Sequence, residues 1–429
     1  MSSLVEPEKA AGGRRASGPA ARYRAARRAT ERLASPLGAE DCQVQSMPEA
    51  SPVKWHLAHT TWFFETFVLA HHAPGYEPFH PSFGYLFNSY YNSVGDRLPR
   101  PRRGLMTRPT LEETHAYRAA VDRAMASYLV GVGDSLPDDV ADVITLGINH
   151  EQQHQELILT DIKHALSLNP LRPAYRDDLP ASAAGDAPPK EWIPFPGGLR
   201  WVGHDGAGFA FDNEGPRHRV HVEPFRLASR PATVGEYLAF IGDGGYSRPE
   251  LWLSDGLAVV QSQRWEAPLY WERTGGEWWS FTLGGLRRLG EAEPICHVSY
   301  YEADAFARWS GARLPTEAEW EVAVVGQEVA GNLVESDHLH PRRAEPGEGL
   351  GQCYGDVWEW TQSPYTPYPG SRPAAGALGE YNAKFMCNQL VLRGGSCTTP
   401  GSHIRATYRN FFPPEARWQF SGIRLASES

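Results

Sequence analysis

The sequence predicts an α+β protein of two domains, a four-helix bundle followed by a domain of mixed helices and short strands. Three observations support this prediction. Apolar residues recur at helical spacing up to about residue 170, and the chain is dense in glycine, proline and tryptophan from residue 192 onward. Between these parts lies a stretch rich in proline, alanine and aspartate, which is typical of a linker. We therefore expect a disordered tail at residues 1–18, the bundle at 19–170, the linker at 171–190 and the mixed domain at 191–429.

Local signals support each helix of the bundle. Ser51 and Pro52 are predicted as the N-cap and first residue of the second helix, and Thr110 with Glu113 forms a capping box at the start of the third. The predicted helices are Tyr23–Leu33, Ser51–Leu69, Thr110–Leu129 and Asp138–Leu166.

In the mixed domain, apolar runs bounded by glycine and proline indicate short strands. We expect strands at Phe195–Trp201 and Arg219–Glu223, and helices at Thr233–Ile241 and Tyr301–Ser310, the latter with Ser299 as a candidate cap.

Composition excludes several classes of function. The net charge of −10 argues against a broad surface for nucleic acid or acidic membranes. The first twenty residues contain no apolar signal core, and no apolar run reaches 18 residues. Five cysteines without a CxxC pair are typical of a reducing compartment. We therefore expect a cytoplasmic protein.

The fourth helix carries two histidines on its inward face. His150 and His154 are four residues apart, so both imidazoles lie on one side of a helix, roughly 6 Å apart along its axis. Val143, Gly147 and Leu157 continue this stripe, which predicts that the histidines are buried. A metal ion suits such a pair, and the alternative is two core histidines with protein partners.

A third inward histidine is predicted on the second helix. Trp55, His59 and Trp62 share one face of that helix, whereas His56 lies about 60° round from His59. His59 is therefore the better candidate for the same metal, and His56 is the second choice.

Several short sequence motifs occur in an order that resembles the order found in one known family. They are Pro52–Thr60, the two histidines of the fourth helix, Gly355–Trp360, Leu392–Ser396, and Arg409–Phe412 followed by Gly422–Leu425. This order resembles a DinB-like bundle followed by a formylglycine-generating-enzyme-like domain of C-type-lectin-like fold. That pairing is found in the EgtB-like sulfoxide synthases of ergothioneine biosynthesis, and the resemblance covers nearly all of the chain beyond residue 20.

The resemblance implies a non-haem iron(II) enzyme. Such enzymes use dioxygen to join a thiol sulfur to the imidazole of hercynine (trimethylhistidine) and form a sulfoxide. The implied cofactor is Fe(2+), with His59, His150 and His154 as ligands, and three nitrogens leave three positions of an octahedral ion open. The implied partners are small molecules (hercynine, a thiol or selenol donor, and dioxygen), with no nucleic acid and no membrane.

Tyr90 and Tyr91 are the implied catalytic residues. One subgroup of the family resembles this chain in having a tyrosine pair at this distance from the first ligand, where a tyrosine donates a proton. Successive residues of an extended chain face opposite ways, so we expect one of the two to face the metal. The alternative for each is a packing tyrosine in a turn-rich loop.

The substrate contacts are also implied by the resemblance. The expected residues are Gln153, Asn410, Phe411, Phe412, Arg100, Arg103 and Trp55. Aromatic faces suit a quaternary ammonium and guanidinium groups suit a carboxylate, although Pro99–Arg103 also reads as a solvated loop. Family members that act on γ-glutamylcysteine have an acidic residue where this chain has Phe412, so the resemblance favours free cysteine or another small chalcogen donor over γ-glutamylcysteine.

The sequence alone is also compatible with three other functions. Residues His150–His154 also match HExxH, the zinc metalloprotease motif, in which Glu151 would be the base. Selenoneine synthases share the architecture and join hercynine to a seleno-sugar. A non-enzymatic, lectin-like binding module leaves three inward histidines without an explanation.

Overall fold

The computed structural model describes residues 18–180, 185–373 and 376–428, and it has the predicted α+β architecture. Residues 1–17 of the expected tail and residues 181–184 of the expected linker lie outside the described residues. No helix in the described part of the chain is long and apolar enough to cross a membrane.

The N-terminal domain is a helical bundle. Its helices are α1 (Pro19–Ala34), α2 (Ala39–Gln43), α3 (Val53–Phe64), α4 (Ala70–His72), α5 (Phe83–Phe87), α6 (Leu111–Val132) and α7 (Asp138–Ser167). A π-helical turn, Glu65–Leu69, joins α3 to α4. α7 packs against α1 and α3, and α6 packs against α3. The four predicted helices are confirmed as α1, α3, α6 and α7.

The two predicted helix starts have different outcomes. At α6, Thr110 Oγ1 accepts from the Glu113 N–H at 3.1 Å and Glu113 Oε2 accepts from the Thr110 N–H at 2.6 Å, which confirms the capping box. At α3 the predicted N-cap is wrong, because the Ser51 hydroxyl accepts from Arg103 at 2.9 Å. The Ser51 N–H donates to Asp161 of α7 at 2.8 Å. Long-range partners therefore replace the local cap.

A glycine sets the distance between α3 and α7. A Cβ built on Gly147 would lie 2.6 Å from Phe64 Cε1 and 2.8 Å from Phe63 Cε1. Any other residue would force the Phe63 and Phe64 rings, or the two helices, to shift, because real Cβ atoms do not approach other atoms this closely. This contact lies one helical turn before His150.

In its described residues, the second domain combines four α-helices with several small sheets. Its helices are α8 (Val234–Gly242), α9 (Ser254–Gln263), α10 (Tyr300–Trp309) and α11 (Glu317–Val324). Its strands are β1 (Trp192–Phe195), β2 (Gly198–Val202), β3 (His218–Val222), β4 (Phe225–Ala228), β5 (Trp271–Thr274), β6 (Glu277–Thr282), β7 (Gly285–Arg288), β8 (Trp358–Pro364), β9 (Leu390–Arg393), β10 (Asn410–Phe412), β11 (Ser421–Gly422) and β12 (Ala426–Glu428). In the described residues the sheet orders are β1-β4-β12, β10-β9-β8-β11, β2-β3 and β5-β6-β7.

Most elements predicted for this domain are present. α8, β3 and α10 match the predictions, and the Ser299 side chain caps α10 by accepting from the Glu302 N–H at 3.1 Å. The single strand predicted at Phe195–Trp201 is wrong, because β1 pairs with β4 and β2 pairs with β3 in separate sheets. Helices α9 and α11 were not predicted.

The central sheet joins the second domain to α7. Glu156 of α7 accepts from Trp358 Nε1 at 2.8 Å, from Ser396 Oγ at 2.5 Å and from Thr399 Oγ1 at 3.0 Å. Trp358 begins β8, and Ser396 follows the adjacent strand β9. Because Glu156 lies two residues after His154, these bonds fix the histidine-bearing part of α7 against the second domain.

Candidate metal centre

Three histidine side chains converge between α3 and α7. His59 Nε2 and His154 Nε2 each lie 3.1 Å from His150 Nε2. All three histidines are buried, and among the described residues they form the one group of three or more side chains suited to a metal ion. Nitrogens at roughly 2.1 Å from one ion and at right angles are separated by about 3 Å. The two spacings to His150 therefore match adjacent ligands of one ion, and all three ligand atoms lie within 4.8 Å of one another.

The outer nitrogens of two of these rings contact other groups. His59 Nδ1 lies 2.6 Å from the carbonyl oxygen of Phe87, which can only accept a hydrogen bond. His154 Nδ1 lies 2.7 Å from Nδ1 of His56, and His150 Nδ1 is buried without a partner among the described residues. The Phe87 contact puts the proton of His59 on Nδ1 and leaves its Nε2 lone pair free.

Burial keeps these imidazoles neutral. It lowers the pKa of His150 to about 3 and holds the pKa values of His59 and His154 well below the ordinary value. Facing lone pairs of neutral nitrogens repel one another unless a proton or a cation lies between them. A neutral His150 can place its one proton on Nε2, but that proton can be shared with one neighbouring nitrogen at a time, whereas a metal cation accepts all three lone pairs. A metal cation therefore fits this donor set, and His59, His150 and His154 would hold it.

Aromatic rings hold the His59 imidazole in place. Trp55 stacks on one face with centroids 4.4 Å apart, and Trp62 stacks at 5.6 Å. Phe63 contacts the His150 ring at 4.9 Å. Each side chain thus has little freedom to rotate, which preorganises the nitrogens.

A cavity of about 1140 Å³ opens beside the histidines, between the two domains. Most site residues expected from the sequence line it. They are His150, His154, Tyr90, Gln153, Asn410, Phe411, Phe412, Arg100, Arg103 and Trp55. His59 lies behind Trp55 and does not line the cavity, and neither does Tyr91.

The two candidate tyrosines face different surroundings. Tyr91 is fully buried and packs against Phe67 at 5.2 Å and Trp62 at 5.8 Å. Tyr90 lines the cavity and contacts the rings of Phe385 at 5.3 Å and Tyr381 at 6.1 Å. Burial raises the pKa of both phenols, so each keeps its proton near neutral pH.

Tyr381 is a site residue that the sequence reasoning missed. Its ring lies 5.8 Å from that of His150 and stacks on Phe211 at 5.4 Å. Its hydroxyl donates to Oε1 of Gln153, whose Nε2 donates to the Tyr408 hydroxyl at 2.8 Å. No spacing pattern in the sequence links Tyr381 to the histidines, because the contact depends on how the two domains pack.

Arg103 is a buried cation in the cavity beside the candidate ligands. Its guanidinium lies 3.4 Å from the centroid of Trp55 and donates to Ser51 and Ser89. Among the described residues no carboxylate forms an ion pair with it. Burial and the nearby Arg100 lower its pKa, whereas the Asp161 carboxylate opposes this effect. A guanidinium keeps its proton, so Arg103 is a buried cation, and its Nε has no hydrogen-bond partner among the described residues. An anionic group in the cavity would supply the missing partner.

Glu151 faces away from the histidines. Its carboxylate accepts from Arg27 at 3.1 Å, from Arg118 at 3.1 Å and from Thr30 at 2.7 Å. It does not line the cavity and is fully buried. The metalloprotease hypothesis requires this residue to act as a base on metal-bound water, so its position argues against that function.

Comparisons with known proteins agree with this two-domain site. Residues 22–158 match the DinB superfamily, and residues 178–348 and 344–429 match the sulfatase-modifying factor enzyme 1-like domain. Hercynine oxygenase of Mycolicibacterium smegmatis is 33% identical over 413 residues, which cover 89% of this chain and 92% of that enzyme. Hercynine oxygenase of Mycobacterium tuberculosis is 34% identical over 429 residues, covering 94% and 96%.

A second group of relatives matches a smaller part of the chain. Formylglycine-generating enzyme of Streptomyces coelicolor is 27% identical over 297 residues, which cover 58% of this chain. The hercynine oxygenases match both domains together at higher identity. This chain therefore belongs to the hercynine oxygenase family and is an oxidoreductase of that type.

Proposed function

We propose that this protein is an iron(II)-dependent enzyme that joins a small thiol to hercynine in ergothioneine biosynthesis. The observation that carries the proposal is the convergence of three neutral histidine nitrogens, where His150 and His154 line a cavity that the buried cation Arg103 also lines. The family's named relatives are hercynine oxygenases, which supports hercynine as one substrate. The unpaired cysteines among the described residues support the proposal of a cytoplasmic location.

The proposed reaction consumes one molecule of dioxygen. The imidazole C–H and the thiol S–H are lost, a C–S bond forms, and the sulfur gains one oxygen atom as a sulfoxide. Dioxygen accepts the four electrons released, and its second oxygen atom leaves as water. Iron(II) bound by His59, His150 and His154 would supply the dioxygen activation that side chains alone cannot provide.

Two of the tyrosines that line the cavity are the candidates to donate a proton in this reaction. Tyr90 and Tyr381 both line the cavity, and Tyr381 is next to His150. The raised pKa values mean that both arrive protonated, as a general acid must. Gln153 accepts from the Tyr381 hydroxyl and orients it. We therefore propose Tyr381 as the first candidate for the acid and Tyr90 as the second, with Tyr91 in a packing role.

Arg103 and Arg100 are proposed to bind the carboxylate of the thiol donor. Ser51 and Ser89 hold the Arg103 guanidinium flat over Trp55, so a carboxylate can approach it within the cavity. Phe412 packs against Trp418 at 6.0 Å and presents an apolar surface where an amine would need an acidic partner. This favours cysteine over γ-glutamylcysteine.

The aromatic part of the cavity is proposed to receive the quaternary ammonium of hercynine. Phe411 stacks on Tyr365 at 4.0 Å and lies near Phe385 at 6.0 Å. Such ring faces attract a cation that cannot donate hydrogen bonds. Asn410, at the start of the same strand, and Gln153 supply polar groups for the rest of the molecule.

A donor-selection experiment tests the proposed function. Iron(II)-loaded protein is incubated in air with hercynine and, separately, cysteine, γ-glutamylcysteine or seleno-glucose, and products are read by mass spectrometry. We expect a hercynyl cysteine sulfoxide, formed much faster than any γ-glutamylcysteine adduct. A C–Se product alone would show a selenoneine synthase, and no product with any donor would contradict the proposal.

A further inference from the structure

A buried histidine lies behind the metal-ligand candidates and contacts one of them. His56 is 1% exposed, and its two ring nitrogens have different partners. Nδ1 lies 2.7 Å from Nδ1 of His154, and Nε2 lies 3.0 Å from Oδ2 of Asp161. Both nitrogens are therefore in use, and neither faces the group of three Nε2 atoms.

The partners of His56 determine which ring nitrogen of His56 and of His154 carries the proton. A carboxylate such as Asp161 can only accept, so His56 carries its proton on Nε2 and has a lone pair on Nδ1. That lone pair accepts the Nδ1 proton of His154. His154 then has its free lone pair on Nε2, the atom that faces His150.

Asp161 is itself held in place. Its Oδ2 also accepts the backbone N–H of Ser51 at 2.8 Å, which lies just before α3. The carboxylate comes from α7 and the histidine from α3, so this arrangement spans the two helices that supply the candidate ligands. Movement of one helix along the other would break it.

The Nδ1 atoms of the three candidate ligands thus have different partners. His59 Nδ1 contacts a neutral carbonyl, His150 Nδ1 has no partner among the described residues, and His154 alone contacts an imidazole backed by a carboxylate. Partners of this kind fix the tautomer of a ligand and raise its basicity.

We infer that His56 and Asp161 are positioning residues that hold His154 in its metal-binding tautomer and strengthen its bond to the ion. His56 is thereby not a fourth ligand, which corrects the sequence-based view of it as a second-choice ligand. The inference rests on the metal centre of the proposed function, and it predicts that the two residues act on metal affinity without touching the metal or substrate.

The test measures iron(II) affinity of the full chain under anaerobic conditions by competition with a chromogenic chelator. His56→Phe keeps a ring of similar size but removes both nitrogens, and we expect affinity to fall about 10- to 100-fold. Asp161→Asn keeps an oxygen acceptor but removes the charge, and we expect a smaller fall of about tenfold. His164→Asn is the matched control, because His164 lies on the same helix and its ring contacts Ser46 at 2.7 Å; it should bind like the unmodified protein.

A second readout separates positioning from loss of fold. In metal-free protein with ¹⁵N-labelled histidine, NMR should show His154 protonated on Nδ1, and this preference should weaken in His56→Phe. The metal-free melting temperature of Asp161→Asn identifies any general destabilisation. Iron(II) affinity of His56→Phe and Asp161→Asn within twofold of the unmodified protein would overturn the inference alone. Failure of the unmodified protein to bind iron(II) would overturn the proposed function as well.

Discussion

Gly147 of α7 lies directly against Phe64 of α3, with room for no side chain between them. A Cβ at position 147 would be 2.6 Å from the Phe64 ring. The contact brings the two helices close enough for His59 to meet His150 and His154. A residue with no chemistry of its own therefore controls the geometry of the candidate metal centre.

Replacing this glycine should damage both stability and metal binding. Gly147→Ala forces the Phe63 and Phe64 rings, or the helices themselves, to shift, and overpacking of this kind costs about 1–3 kcal/mol. Thermal melting and iron(II) titration measure the two effects. Gly131→Ala is the control, since Gly131 lies in α6 with no atom within 4 Å of the added carbon. Equal iron(II) affinity in the Gly147 variant would contradict the argument.

Arg103 should control the affinity for the thiol donor. Loss of a charge-assisted hydrogen bond costs about 1.5–3 kcal/mol, so Arg103→Gln should raise KM for the donor by roughly 10- to 100-fold. KM for hercynine should change little. The neighbouring Arg102 is exposed, and Arg102→Gln serves as the control in the same steady-state assay. An effect on hercynine alone would reverse the proposed placement of the two substrates.

Replacing each of the three tyrosines by phenylalanine should lower the rate of sulfoxide formation to a different extent. Removing a general acid typically lowers the rate by about 10²–10⁴-fold, which we expect for Tyr381→Phe. Tyr90→Phe should have a smaller effect. Tyr91→Phe should change the rate little, because phenylalanine keeps the ring that packs against Trp62 and Phe67 and the Tyr91 hydroxyl has no hydrogen-bond partner among the described residues. The rate of product formation at saturating substrate, measured for each variant, gives the order of the three effects. A strong loss in Tyr91→Phe with wild-type rates for the other two would reject the assignment.

Lys163 should make stability depend on pH. Its ammonium is buried between the rings of Tyr270 and Phe420 and donates to His297 Nε2 at 2.6 Å. Burial lowers its pKa to about 8 from an ordinary value of 10.5. Between these two pH values, Lys163 binds more protons in the unfolded chain than in the folded one. The free energy of unfolding therefore rises as the pH rises through this range.

Lys163→Met tests this dependence. The free energy of unfolding of the unmodified protein, relative to the variant, should rise between pH 7 and pH 10 by at most about 3 kcal/mol. Chemical denaturation at several pH values gives this difference and cancels the contribution of other groups. A difference that stays constant over the range would show that Lys163 keeps an ordinary pKa in the folded protein.

Local sequence determined the helices and the ligand pattern. The four-residue spacing of His150 and His154, the apolar stripe around them and the capping box at Thr110 are short-range features, so they predict structure without knowledge of the rest of the chain. The same signal occurs at Thr316 and Glu319, where α11 begins, but its eight residues are too few for a clear periodicity. The order of the family phrases predicted the two-domain architecture.

Only the tertiary structure decided which groups meet. Ser51 reads as a helix cap but bonds Arg103 and Asp161, and Glu151 reads as a catalytic base but pairs with Arg27 and Arg118. Tyr381 reaches the histidines because Glu156 and its partners dock the second domain onto α7. These contacts join residues far apart in the chain, and their energy depends on burial and on long-range partners that no local pattern encodes.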